Sequence, residues 1–120
     1  MMETRTSRTD ALALVGLARR AGAVVTGTGA VRDAVRSGSA RLVLLAEDAA
    51  AGQVGKVANL LRHREVPHRV WGKQEELGRA TGSASLSAIA IMDDGLAGRL
   101  LEELPANKGP RVGSDSDEEG

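Results

Sequence analysis

Gly27-Thr28-Gly29-Ala30-Val31-Arg32-Asp33-Ala34-Val35-Arg36-Ser37-Gly38, followed after Ser39 by Ala40-Arg41-Leu42-Val43-Leu44-Leu45-Ala46-Glu47-Asp48, is the stretch that decides the fold. Ala30, Val31, Ala34 and Val35 recur at helical spacing, so the stretch between the glycines predicts a helix over Thr28–Ser37 with one buried stripe. Gly38 stops that helix. Leu42–Ala46 is apolar without alternation, the pattern of a strand covered on both faces. A helix that opens on Gly-Thr-Gly presents backbone N–H groups which nothing inside the helix can satisfy and no bulky side chain shields. Such an end attracts anions, phosphates among them.

Working outward, the same alternation of short strands and helices continues in both directions. Ser7 or Thr9 can cap a helix starting near Asp10, with Leu12, Leu14, Val15, Leu17, Ala18 and Ala21 forming its apolar face and Gly22 ending it. Ala23–Thr26 reads as a strand. Asp48 is placed to cap the next helix, and Ala51–Glu65 reads as that helix on the recurrence of Val54, Val57, Ala58 and Leu61. Val66–Trp71 is a strand with Pro67 at its start, Lys73–Thr81 a short helix, Gly82–Ser85 a loop, and Leu86–Ile91 a strand. Asp93 or Asp94 then caps a helix to about Leu104. Four strands among five helices imply an α/β protein, a three-layer α/β/α sandwich around a small four-stranded mixed sheet. The expected organisation is a flexible leader over 1–8, one folded domain over 9–104 and a disordered acidic tail over 105–120.

Composition narrows the function. Apolar residues are 42% of the chain but almost all aliphatic; Trp71 is the one aromatic, which argues against a base-stacking platform. No cysteine is present, so thiol catalysis, disulfides and cysteine-ligated metals are out, in keeping with a cytoplasmic protein. No apolar run approaches the roughly 20 residues of a membrane span. The formal net charge is zero, with 16 basic and 16 acidic residues, yet the segment 105–120 holds 2 of the former and 4 of the latter. The remainder is therefore mildly basic, which gives it a modest attraction for a phosphate backbone.

Catalytic and metal signatures are weak. Thr26–Ala30 lacks the third glycine of a dinucleotide loop and the Gly-Lys-Ser/Thr of a phosphate-gripping loop. His63 and His68 have no third ligand at metal spacing. The carboxylate pairs Glu47-Asp48 and Asp93-Asp94 stand at strand ends, where helix capping accounts for them. No serine lies in a nucleophile elbow. The reading is a non-enzymatic binder with no cofactor and no metal. Gly27, Thr28, Gly29, Arg32, Arg36 and Arg41 are the candidate contacts for a folded RNA, beside the Gly78–Ser85 loop. A protein-interaction module of the ribosome or transcription machinery is the alternative.

Three blocks carry a family resemblance. Gly27-Thr28-x-x-x-x-x-Ala34-Val35-x-x-Gly38-x-Ala40-x-Leu42-Val43-Leu44-Leu45-Ala46-Glu47-Asp48 resembles the central block of the ribosomal protein L7Ae family. Val66-Pro67 and Lys73-x-x-x-Leu77-Gly78-x-Ala80-x-Gly82 resemble its second block. Leu14-x-Gly16-Leu17-Ala18-Arg19-Arg20-Ala21-Gly22 is similar to the short bacterial branch of YlxQ-like proteins. The resemblance implies the α/β/α sandwich and binding of kink-turn RNA, a sharply bent helix–internal loop–helix with tandem sheared G·A pairs. It places RNA against the N-terminus of the Gly27–Arg36 helix, the Glu47-Asp48 loop and the Thr81–Leu86 loop, with Leu86 as apolar cover for the extruded base. The partner it implies is structured RNA, ribosomal RNA or the ribosome among the candidates, bound by a monomer away from any membrane. Archaeal and eukaryotic members carry Asn-Glu after Gly-Thr and a lysine three residues after the Glu. Here Gly29-Ala30 and Asp33 occupy those positions. Losing two charged hydrogen-bond partners at ~2 kcal/mol each lowers affinity about a thousandfold, so the kink-turn signature is weakened.

Overall fold

Two uninterrupted aliphatic runs organise the protein, because each can be buried only if both of its faces are covered. They are β2 (Leu42–Leu45) and β4 (Ala88–Ile91), and every residue in both is buried. The computed structural model describes residues 2–106 and sets these strands side by side at the centre of a four-stranded sheet. β1 (Val24–Thr26) and β3 (His68–Val70) are the edges, giving the order β1-β4-β2-β3. β4 runs antiparallel to both neighbours, with Val25 opposite Ala90 and Val43 opposite Ala90 on the other side. β2 and β3 are parallel, with Leu44 beside Arg69. The sheet is mixed, as expected.

The pleat divides the core in two. Leu42, Leu44, Ile89 and Ile91 face α1 (Met2–Arg20), α4 (Gln74–Ala80) and α5 (Asp94–Glu103), packing with Val15, Leu77 and Leu100. Val43, Leu45, Ala88 and Ala90 face α2 (Thr28–Ser37) and α3 (Ala51–Leu61), packing with Val31, Val35, Val57 and Leu61. Each large aliphatic side chain fully buried there contributes about 1.5–3 kcal/mol against exposure, so the two central strands hold both layers to the sheet. Among the described residues no helix is long and apolar enough to cross a membrane.

Several boundaries differ from expectation, β3 among them, which spans only His68–Val70 of the expected Val66–Trp71. α1 begins at Met2, not near Asp10, so the leader expected over 1–8 is helical from Met2. Residues 2–9 contain neither glycine nor proline, and nothing in them halts a helix. The far end of that segment is held by Arg8, whose guanidinium lies 5.0 Å from the Trp71 ring centroid and binds the Glu76 carboxylate. α3 stops at Leu61 rather than Glu65: the N–H groups of His63 and Arg64 reach back three residues, to Leu60 and Leu61. The next position on its buried face would be Glu65, a charge with no place in the core, and Pro67 disfavours helix at Val66. Asp48 caps α4, its Oδ1 accepting from the Gln74 N–H at 2.9 Å, instead of α3. β4 begins at Ala88 because the Leu86 N–H is taken by the Gln74 carbonyl, at 3.0 Å. Asp93 caps α5 as expected, accepting from the Leu96 N–H at 2.9 Å. Of the acidic tail expected over 105–120, only Pro105 and Ala106 are described, and its acidic residues lie outside the described residues.

Candidate nucleic-acid interface

β1 and β2 are both antiparallel to β4, and β3 is parallel to β2, so β1, β2 and β3 all end where β4 begins. That end of the sheet gathers segments far apart in sequence. The Gly27 N–H donates to the Ala88 carbonyl at 2.9 Å, Ala46 N–H to Ser87 at 2.8 Å, and Glu47 N–H to Gly72 at 2.8 Å. The start of α2, the Glu47-Asp48 turn and the 81–87 loop are thereby brought together.

α2 opens at Gly27 with φ 93° and ψ 150°, a conformation that a side chain would strain. No side chain caps it, and the first helical bond runs from the Val31 N–H to the Gly27 carbonyl at 2.9 Å. A Cβ placed on Gly27 or Gly29 would meet nothing within 4 Å, so the approach is open. The free N–H groups of the first turn leave partial positive charge there. Arg32, one turn in, is half-buried and has no ion-pair partner among the described residues.

The other predicted residues separate. Arg36 lies 3.6 Å from Asp33 across an exposed i, i+3 pair, an arrangement worth little in water. Arg41 belongs to the opposite end of the sheet, because it precedes β2 and only that strand's far end reaches the site. Its N–H donates to Ile91, its Nη1 to the Gly38 carbonyl at 3.0 Å, and its Nε pairs with Asp94 at 3.1 Å. A ten-residue helix is about 15 Å long, so α2 itself holds Arg36 and Arg41 away from its own N-terminus. Glu47 is at the site but occupied: Oε2 accepts from the Gly72 N–H at 2.9 Å and Oε1 lies 3.8 Å from Lys73 Nζ. Leu86 is half-buried against the α1/α4/α5 core and borders the site from the 81–87 loop.

That loop is held by contacts which sequence periodicity does not show. Gly78 lies so close to it that a Cβ would stand 2.7 Å from the Ala84 carbonyl oxygen and from Ser85 Cα. Arg19 covers Gly82, and Thr81 Oγ1 donates to the Leu77 carbonyl at 2.8 Å. Glu76 anchors α4 to α1 through Arg8 and accepts from the Lys73 N–H at 2.8 Å. Burial raises its carboxyl pKa, but the Lys73 N–H and the Arg8 guanidinium outweigh this and hold it below its ordinary value of 4.5. Among the described residues no cluster of His, Asp and Glu could hold a metal, and His68 Nδ1 is 3.2 Å from the Val66 carbonyl.

Comparison with known proteins agrees with this fold. The family model described as "Ribosomal protein L7Ae/L30e/S12e/Gadd45 family" matches residues 9–100. The RNA-binding protein YlxQ of Bacillus subtilis (strain 168) is 36% identical over 91 residues, 76% of this chain and 91% of that protein. A solved Bacillus halodurans protein of unknown function superposes with a TM-score of 0.73 at 33% identity, over 78% of this chain and 94% of the other. The Giardia lamblia 15.5kD RNA binding protein gives a TM-score of 0.71 at 25% identity, over 82% and 84%. The chain thus belongs to the ribosomal protein L7Ae/L30e/S12e/Gadd45 family, in its bacterial YlxQ-like branch.

Proposed function

We propose that this protein binds structured RNA, bent RNA of the kink-turn kind in particular, with no bond made or broken. The observation that carries the reading is the uncapped N-terminus of α2, open at Gly27 and Gly29 and bordered by the Glu47-Asp48 turn and the 81–87 loop. The names of the Bacillus subtilis and Giardia lamblia relatives support RNA as the partner. In this reading Thr28 and the N–H groups of the first turn meet phosphate or base edges, Arg32 meets phosphate, and Leu86 covers an unstacked base. Glu47 orders the turn through Gly72 and Lys73 instead of touching RNA. Arg36 and Arg41 reach phosphate only on an RNA long enough to run the length of α2. With Gly29, Ala30 and Asp33 in place of Asn, Glu and Lys, affinity is lower than that of a fully equipped kink-turn binder.

A titration against a kink-turn and an unkinked duplex of equal length, across a salt series, tests the reading. The kink-turn should bind tighter at every salt concentration, with a shallow salt slope set by one or two phosphate contacts. Equal affinities that fall together steeply with salt would leave charge attraction alone and overturn the specific claim.

A further inference from the structure

Gln74 forms a second bridge between the two loops bordering the site, beside the direct bond from the Ala46 N–H to the Ser87 carbonyl. Its side chain reaches both: Nε2 donates to the Asp48 carbonyl at 3.2 Å, and Oε1 accepts from Ser87 Oγ at 3.1 Å. Its backbone repeats the bridge, with the N–H donating to Asp48 Oδ1 at 2.9 Å and the carbonyl accepting from the Leu86 N–H at 3.0 Å. The bonded segments lie 26 and 13 residues away in sequence, so neither loop is tied to the other by chain continuity. Gln74 is half-buried in the first turn of α4, a helix itself fixed by Arg8 at Glu76. An amide is the side chain this bridge requires, since it must donate to a carbonyl at one side and accept from a hydroxyl at the other. We infer that Gln74 is a positioning residue that sets the Glu47-Asp48 turn and the Leu86–Ser87 segment at a fixed separation across the α2 end. The consequence for RNA rests on the proposed function; the tether does not.

Three variants of the full chain separate this role from a general loss of stability. Gln74→Ala removes both side-chain bonds and leaves the backbone pair. Gln74→Glu keeps an acceptor for Ser87 but has no donor for the Asp48 carbonyl, and Ser87→Ala removes the opposite bond alone. Amide hydrogen exchange should quicken about tenfold, the effect of losing one net hydrogen bond, in a pattern peculiar to each. Gln74→Ala loosens both 46–49 and 83–87, Gln74→Glu chiefly 46–49, and Ser87→Ala chiefly 83–87, with the sheet amides unchanged in all three. Kink-turn RNA affinity in Gln74→Ala should fall about tenfold. Exchange that is unchanged, or quickened throughout the domain by every variant, would overturn the tether. Both loops loosening at constant RNA affinity would overturn the role toward RNA. Were the unsubstituted protein to bind no kinked RNA, the exchange pattern would still decide the tether, and only the proposed function would fall.

Discussion

Gly78 and Gly29 are both helical glycines, yet the structure assigns them opposite sensitivities. At Gly78 a methyl group would drive into the backbone of Ala84 and Ser85, which has no flexible end to move aside. Gly78→Ala should cost about 2–3 kcal/mol, lowering Tm by roughly 10 °C. At Gly29 the same change meets open space, and alanine's better helix propensity should leave stability level or raise it by up to ~1 kcal/mol. Thermal unfolding of the two variants checks the contrast; equal shifts would contradict it. Glu76 supplies a second residue-scale test. Its carboxyl pKa is depressed in the folded protein, so its stabilising contribution is complete above the ordinary value of 4.5 and fades as pH falls through the lower folded value. Denaturant unfolding between pH 3 and 7 should show Glu76→Gln losing stability relative to the parent at pH 7. The two should converge at the acid end, and a constant gap would contradict the assignment.

At the scale of elements, α2 was legible because everything that defines it is local: glycines at both ends, an i, i+4 stripe between them and an apolar strand behind. The walls of the site were not, because they depend on bonds between distant residues. The Arg8–Glu76 pair spans 68 positions and the Asp48–Gln74 pair 26, and neither carries a periodic signal. Asp48 illustrates the difficulty. Its position before α3 is that of a local cap, and only the parallel pairing of β2 with β3 puts it beside the first turn of α4 instead. The chemistry of α2 is where substitution should change function most. Arg32→Gln should lower kink-turn affinity about tenfold with little change in Tm, because the guanidinium has no ion-pair partner to lose among the described residues. Restoring the family's pattern with Gly29→Asn, Ala30→Glu and Asp33→Lys together should raise affinity at least tenfold, since it adds hydrogen-bonding partners and, even with the new carboxylate, leaves the helix end one charge more positive. A fluorescence anisotropy titration measures both, and a triple variant with unchanged affinity would contradict that use of the helix end.

For the whole molecule, sheet topology sorts the charges. Sequence order places Arg36 in the last turn of α2 and Arg41 just after it, and read along the chain both belong with that helix. The sheet instead carries Arg41 to the far end, beside Asp94, while it brings residues near 27, 47, 72 and 87 together. Four strand ends meeting at one edge make a site from segments that no linear motif joins. The layered sandwich itself was readable, since β2 and β4 are aliphatic throughout and had to be central; which end of it faces a partner depends on strand direction. In the proposed function the α2 end is that face. Mapping backbone amide shifts as kink-turn RNA is added to the isotope-labelled protein tests this most directly. The largest changes should fall on Gly27–Ala30, Glu47-Asp48 and 82–87, with Arg41 and the Arg62–Arg64 turn little affected. Changes centred on Arg41 and that turn, with the α2 end silent, would contradict it.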